Sequence, residues 1–329
     1  MSGIDVKEDE AAKLEVALAA LRRDYSKLLP RVRTLEHTVT CECDKVVLRL
    51  HFPALRQGKA TVQELIDAIT HFMVPFALPR AEINEVDALF TPGNLEEFKF
   101  RYSELSERAK ALFKRANKAT NRNGEAGELL LYLLTEWMLD APQLVAKMCL
   151  KTNREMPVHG ADGIHVRYAP DQDRLLMFWG ESKLYADVGD AISAAITSIT
   201  EALEPEKLKH EIELVQRNIS FAGLDEASKS ALLKYLDPYD DAYNDRHDVT
   251  TCLLGFNFDG FEALASKSEE PEEAFAKLAK AKLKELAPKL ASALQKANLA
   301  NHPMEIFLFP VPSVQELRDV FQSKIGWKP

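Results

Sequence analysis

The segment Leu175-Leu176-Met177-Phe178-Trp179 is the strongest single constraint on this chain. Five consecutive apolar residues leave no polar face, so a strand built from them must be covered on both sides. Such a strand belongs inside a sheet with helices packed above and below it. It does not end apolar: after Gly180 come Glu181, Ser182 and Lys183. Glu181 therefore sits at the end of a buried strand, where a carboxylate is costly without a cation to meet it. Glu181 and Lys183, two apart on that strand, point to the same face of the sheet.

The flanking sequence supplies the rest of a hairpin. Ala169-Pro170-Asp171-Gln172-Asp173 has the composition of a turn and joins a strand over residues 162–168 to one over 174–181. Asp162 begins the first of these and can face Glu181 across the ladder. Upstream, a long helix opens at Gly124-Glu125-Ala126-Gly127-Glu128, with Glu125 and Glu128 three apart on one face. Further strands are expected at 46–52, 144–151, 250–258 and 305–311. Helices are expected at 14–28, 61–76 (Thr61 as N-cap), 94–121, 187–203, 206–218, 226–236 and 313–324. Strands interleaved with helices imply an α/β layered core. We divide the chain into an N-terminal α+β extension, 1–100, which carries no recognisable chemistry and is the natural place for a partner to dock, and a domain over 101–329.

Carboxylates converging from a helix and a hairpin suit a hard divalent cation, because Mg²⁺ takes oxygen ligands and keeps several waters. A lysine beside it can orient or help deprotonate a water and neutralise charge that develops during attack on a phosphodiester. Glu and Lys two apart on a strand are commonplace by themselves. What gives them weight is the order: helix with Glu, strand with Asp, hairpin, strand with E-x-K, helix. Against this stands a non-catalytic helical scaffold that merely recruits a partner, its carboxylates on solvated faces. His159, Asp162 and His165 form an H-x-x-D-x-x-H run, but positions 162 and 165 of a strand face opposite ways, which disfavours zinc. Cys41 and Cys43, with His37 and His51 nearby, have C-x-C spacing and no second pair, so they read as strand residues. Neither a phosphate-binding G-x-x-x-x-G-K-[ST] loop nor a G-x-G-x-x-G fingerprint occurs, which leaves an ATPase or dehydrogenase, and any small-molecule cofactor, without support.

The 51 acidic and 42 basic residues give a net charge of −9, and the sequence pI is about 5.5. That acidity argues against a constitutively tight DNA binder, whose domains usually have a pI above about 9. Two windows run the other way. Arg101, Arg108, Lys110, Lys114, Arg115, Lys118 and Arg122 face only Glu104 and Glu107. Lys277, Lys280, Lys282, Lys284, Lys289 and Lys296 face only Glu285. Each window nets +5 and brackets the carboxylates. The polar, acidic start lacks the pattern of a secretory signal, and no segment is long and apolar enough for a membrane helix, so a cytoplasmic protein is expected.

The order of elements resembles the PD-(D/E)xK nucleases, the restriction-endonuclease-like superfamily. Ala161 stands where that family's name has proline, a position that varies within it. A closer resemblance covers about residues 120–200: Gly124-Glu125-Ala126-Gly127-Glu128, His159-Gly160-Ala161-Asp162-Gly163-Ile164-His165, and Phe178-Trp179-Gly180-Glu181-Ser182-Lys183-Leu184-Tyr185 are similar to the HamA family, nuclease subunits of the Hachiman anti-phage system. The resemblance implies a restriction-endonuclease-like core, a central mixed sheet flanked by helices. It also implies catalytic Asp162, Glu181 and Lys183, completed by Glu128 or Glu125, with Glu128 preferred. Mg²⁺ or Mn²⁺ would be held by Asp162, Glu181, Ser182 and Glu128. DNA is the implied substrate, and the implied partner is a HamB-like superfamily-2 helicase that restrains the nuclease.

Overall fold

A computed structural model of the chain describes residues 3–41, 43–120, 124–151, 160–264 and 270–327, leaving aside the side chains of 3–10, 36–40, 117–120, 151 and 221. The strands in chain order are β1 (Val32–Thr40), β2 (Val46–Pro53), the two-residue pair β3 (Leu55–Arg56) and β4 (Lys59–Ala60), β5 (Gln143–Val145), β6 (Gly163–Ala169), β7 (Arg174–Tyr185), β8 (Arg246–Asn257) and β9 (Met304–Val311). The helices before the hairpin are α1 (Gly3–Ala20), α2 (Val62–Thr70), α3 (Met73–Ala77), α4 (Arg80–Asp87), α5 (Leu95–Thr120), α6 (Glu125–Met138) and α7 (Lys147–Lys151). Those after it are α8 (Val188–Ala202), α9 (Pro205–Asn218), α10 (Glu226–Lys234), α11 (Gly260–Leu264), α12 (Pro271–Lys296) and α13 (Val314–Ile325).

Seven strands form one mixed sheet in the order β1-β2-β9-β8-β7-β6-β5. Its centre, β2-β9-β8-β7, is parallel, while β1, β6 and β5 add antiparallel margins. The apolar run lies in β7, between β6 and β8, as a strand buried on both faces must. The parallel steps are made through helices: α8, α9 and α10 lie between β7 and β8 in the chain, and α11 and α12 between β8 and β9.

Alternation along the strands sorts the layers. Phe178, Leu253, Phe307 and Phe309 point into a core shared with α2, α3, α5, α6 and α13. Cys252, Leu254, Ile306 and Leu308 point the other way, against α8 and α12. Farther along that second face, Ile164, Val166, Leu175, Met177 and Trp179 pack under α1, α9 and α10. This is the expected layered α/β fold: a central mixed sheet with helices on both faces.

Local expectations fared unevenly. The helix over 14–28 stops at Ala20, and Tyr25 and Leu28 reach the core through a short 3-10 turn at Ser26–Leu28. Residues 144–151 are not one strand, because β5 ends at Val145 and α7 begins at Lys147. Thr61 precedes α2 but does not cap it; its hydroxyl donates to the Ala54 carbonyl at 2.8 Å. The 61–76 helix is broken between Thr70 and Met73. Residue 100 marks no break in the core, since β2 pairs with β9 in the same sheet as the hairpin, and α2 and α3 pack with α6.

Candidate active site

The register of the hairpin pairs Gly163 with Gly180, which places Asp162 opposite Glu181 one step beyond the end of β6. Two hydrogen bonds set that step. The Asp162 N–H donates to the Gly180 carbonyl at 2.6 Å, and the Ser182 N–H donates to Asp162 Oδ2 at 2.9 Å. With β6 ended, the aspartate side chain replaces the missing strand as acceptor for Ser182. On the same face, Lys183 Nζ lies 2.5 Å from Glu181 Oε1. The Glu181 and Lys183 side chains are only 12% and 20% exposed, so their charges interact through a poorly screened medium.

Electrostatics shows how tight the grouping is. Burial, and then the neighbouring charge of Asp162, push the Glu181 carboxyl up to about 7, against opposing help from Lys183 and the Ser198 hydroxyl. Burial is the largest influence on the Lys183 ammonium and works against it, yet Glu181, Asp162 and Tyr185 together outweigh it and hold its pKa above the ordinary value. Cys252, paired in register with Glu181, is raised by burial and by the same carboxylate. Glu181 opens into a cleft between β7 and helices α8 and α9, walled by Trp179, Ile199 and Leu203.

The helix glutamates approach from the other side. α6 packs so closely on β7 that a Cβ on Gly127 would collide with Ser182 Oγ and lie 2.9 Å from Leu184 Cγ. Ser182 and Leu184 thus face α6, whereas Glu181 and Lys183 face α8. Glu125 is buried, and its charge is felt at Arg318 of α13; Glu128, one turn on, is half-buried. Ser182 offers the site its main chain rather than its hydroxyl. A strand residue's N–H and C=O leave by the same edge, and the Ser182 N–H points to Asp162.

Among the described residues, no three His, Cys, Asp or Glu side chains form a metal-holding group. The donors still suit Mg²⁺, which is typically bound through one or two carboxylates and keeps several waters. They are all oxygen: Asp162, Glu181 and the Ser182 carbonyl. His165 takes no part, because it points to the α6 face, where Nδ1 lies 2.9 Å from the Ala141 carbonyl and the ring packs on Tyr132. His159 lies outside the described residues. Cys41 and Cys43 are buried in the connection between β1 and β2 rather than in a strand, and His51 is buried beside Thr34 with its pKa pushed down to about 3 by burial and by Arg49.

The two basic windows do not share a groove. α5 contributes Leu105, Ala109 and Phe113 to the core on the α6 face, and α12 contributes Phe275 and Leu283 to the opposite one. Several of their cations are met locally: Arg101 by Glu104, Lys110 by Glu107, Arg108 by Glu82, and Lys282 and Lys289 by Glu285. Lys118 and Arg122 lie outside the described side chains.

One group was missed from the sequence. Lys147 and Glu211 form a buried ion pair just behind Asp162, with Lys147 also bonded to the Ala161 carbonyl. The available signal was a lone lysine in the apolar stretch Leu144-Val145-Ala146-Lys147-Met148. Nothing local to Glu211 marked it as the partner.

A central mixed sheet with helices packed on both faces is a restriction-endonuclease-like fold. The HamA family model matches residues 31–325 of the 329, and the chain belongs to the HamA family. That membership places it in Hachiman anti-phage defence. No match was found among curated proteins. No helix among the described residues is long and apolar enough to cross a membrane.

Proposed function

We propose that the chain is a Mg²⁺- or Mn²⁺-dependent deoxyribonuclease, the effector of a Hachiman complex that a superfamily-2 helicase of the HamB kind restrains. The observation that carries this reading is the trio of Asp162, Glu181 and Lys183 on one face at the end of the hairpin. Asp162 and Glu181 would hold the ion, aided by the Ser182 carbonyl; Glu128 sits on α6, across the sheet from Glu181, and would reach the ion only through a water. When bound, the ion polarises a phosphoryl oxygen and lowers the pKa of a water. Lys183 does the rest. Its Nζ, kept protonated by Glu181, puts positive charge where attack on a phosphodiester builds negative charge. The apolar wall of the cleft beside Glu181 thins the water around that carboxylate and strengthens its hold on the Lys183 ammonium. The first 100 residues and the exposed helices around them are the proposed docking region for the helicase.

The test is direct. Purified protein, together with its helicase partner, is incubated with plasmid DNA and Mg²⁺ or Mn²⁺, with EDTA as control. Cleavage should require the ion, and Glu181→Ala and Lys183→Ala should each lower it by at least about a hundredfold while leaving circular dichroism unchanged. Wild-type cleavage by both variants would overturn the reading. A helicase reading frame beside the gene supports the partner, and a lone gene argues for a stand-alone nuclease.

A further inference from the structure

We infer that the buried Lys147–Glu211 ion pair is a positioning device for Asp162, a role that rests on the metal-nuclease reading. Lys147, at the start of α7, and Glu211, on α9, have side chains only 1% and 5% exposed. Lys147 Nζ donates to both Glu211 oxygens, at 2.9 and 2.8 Å, and to the Ala161 carbonyl at 2.6 Å. That carbonyl belongs to the peptide unit whose N–H is that of Asp162, and the N–H donates to Gly180 at 2.6 Å. The peptide plane immediately before Asp162 is therefore clamped at both ends, by a buried ammonium on one side and by β7 on the other. With Asp162 Oδ2 held by the Ser182 N–H, the backbone and one carboxylate oxygen are both fixed. Gly160 completes the clamp. Its φ is +124°, and a Cβ there would lie 2.8 Å from Glu211 Cδ, so only glycine lets the carboxylate reach in.

A buried pair of this kind is weak evidence for stability, because apolar residues of similar volume often serve as well. What apolar residues cannot supply is the bond to the Ala161 carbonyl. The pair is thus placed to hold the aspartate at the geometry a cation needs, and outer groups that orient metal ligands typically account for about 10–100-fold in affinity or activity.

The test uses the full chain with Lys147→Met and Glu211→Leu combined, so that no buried charge is left unpartnered. Thermal melting checks the fold, and Mn²⁺ binding by calorimetry is the decisive readout. The expected result is a melting temperature no lower than wild type with a Mn²⁺ dissociation constant raised by at least about tenfold. If the double variant does not fold, Lys147→Arg takes its place under the same criterion, since the guanidinium keeps the charge but not the fit to Ala161. A folded variant that binds Mn²⁺ as tightly as wild type overturns the inference alone. Wild-type protein that binds no divalent ion overturns the nuclease reading and this inference with it.

Discussion

Replacing Glu181 with glutamine should make the ion-free protein more stable while destroying cleavage. In the folded protein the Glu181 carboxyl is pushed from its ordinary 4.5 up to about 7, first by burial and then by Asp162. Each tenfold in an ionisation constant is about 1.4 kcal/mol, so holding Glu181 ionised in the fold costs about 3 kcal/mol relative to the unfolded chain. Because the folded pKa of an acid is raised, the penalty is absent below pH 4.5, where both states are protonated. It grows as pH rises and is complete above about 7, where both are ionised. Glutamine keeps the shape and removes the charge. Glu181→Gln should therefore raise stability by about 3 kcal/mol at pH 8 and by less than about 1 kcal/mol at pH 5, or about 5 °C in Tm at the higher pH. Thermal melts in EDTA at the two pH values measure this. Added Mg²⁺ should close most of that gap, since an ion at a hundred times its Kd stabilises wild type by about 2.7 kcal/mol and the variant far less. Equal melting temperatures at pH 8, or a gain that does not change between pH 5 and 8, would refute the electrostatic argument.

Three further outcomes follow from the same geometry. Mn²⁺ must displace a proton from Glu181 below about pH 7, so its dissociation constant should fall about tenfold between pH 6 and 8; calorimetry showing no pH dependence over that range would contradict it. Gly127→Ala should destabilise by about 1–2 kcal/mol in urea unfolding, because the new methyl group meets Ser182 Oγ and Leu184 Cγ. The cost should shrink in a Ser182→Ala background, and full stability of the single variant would mean the α6 contact is looser than described. Ser182→Ala alone should leave Mn²⁺ affinity unchanged, since Ser182 Oγ is buried against α6 with no hydrogen-bond partner among the described residues; a tenfold loss would show that the hydroxyl reaches the ion.

Much of the hairpin was legible in the sequence because its rules are local. Period-two alternation put Glu181 with Lys183, the turn composition of 169–173 put Asp162 opposite Glu181, and the register agrees. The parallel partner β8 was legible as a buried strand, though it starts at Arg246 rather than 250, because its first residues are polar. What stayed hidden depends on contacts between distant segments. The side on which α6 meets β7 is decided by Gly127 packing on Ser182 and Leu184, a long-range fit that periodicity does not report. The two basic windows looked like one bracket around the site, yet chain order says nothing about faces, and the layers put them on opposite sides of the sheet. β1 went unread, and with it the fact that the N-terminal strands extend the same sheet rather than form a separate unit.

The site and the end of the sheet are one physical event. β7 runs on to Tyr185, but β6 begins opposite Gly180, so the last turns of the β7 ladder are paired with β8 on one edge only. An unpaired edge is a template for another strand unless something covers it. Here the covering groups are charged side chains. Asp162 accepts from the Ser182 N–H, and Arg318 of α13 donates to the Leu184 carbonyl at 2.7 Å. Glu125 contributes to that cover through its charge at Arg318, which gives it work other than holding a cation and leaves Glu128 as the better helix candidate. Glu125→Gln should then weaken the α13 contact and lower Tm, while Glu128→Gln should act on Mn²⁺ affinity. If Glu125→Gln instead costs affinity with no change in Tm, the assignment of the two glutamates must be exchanged.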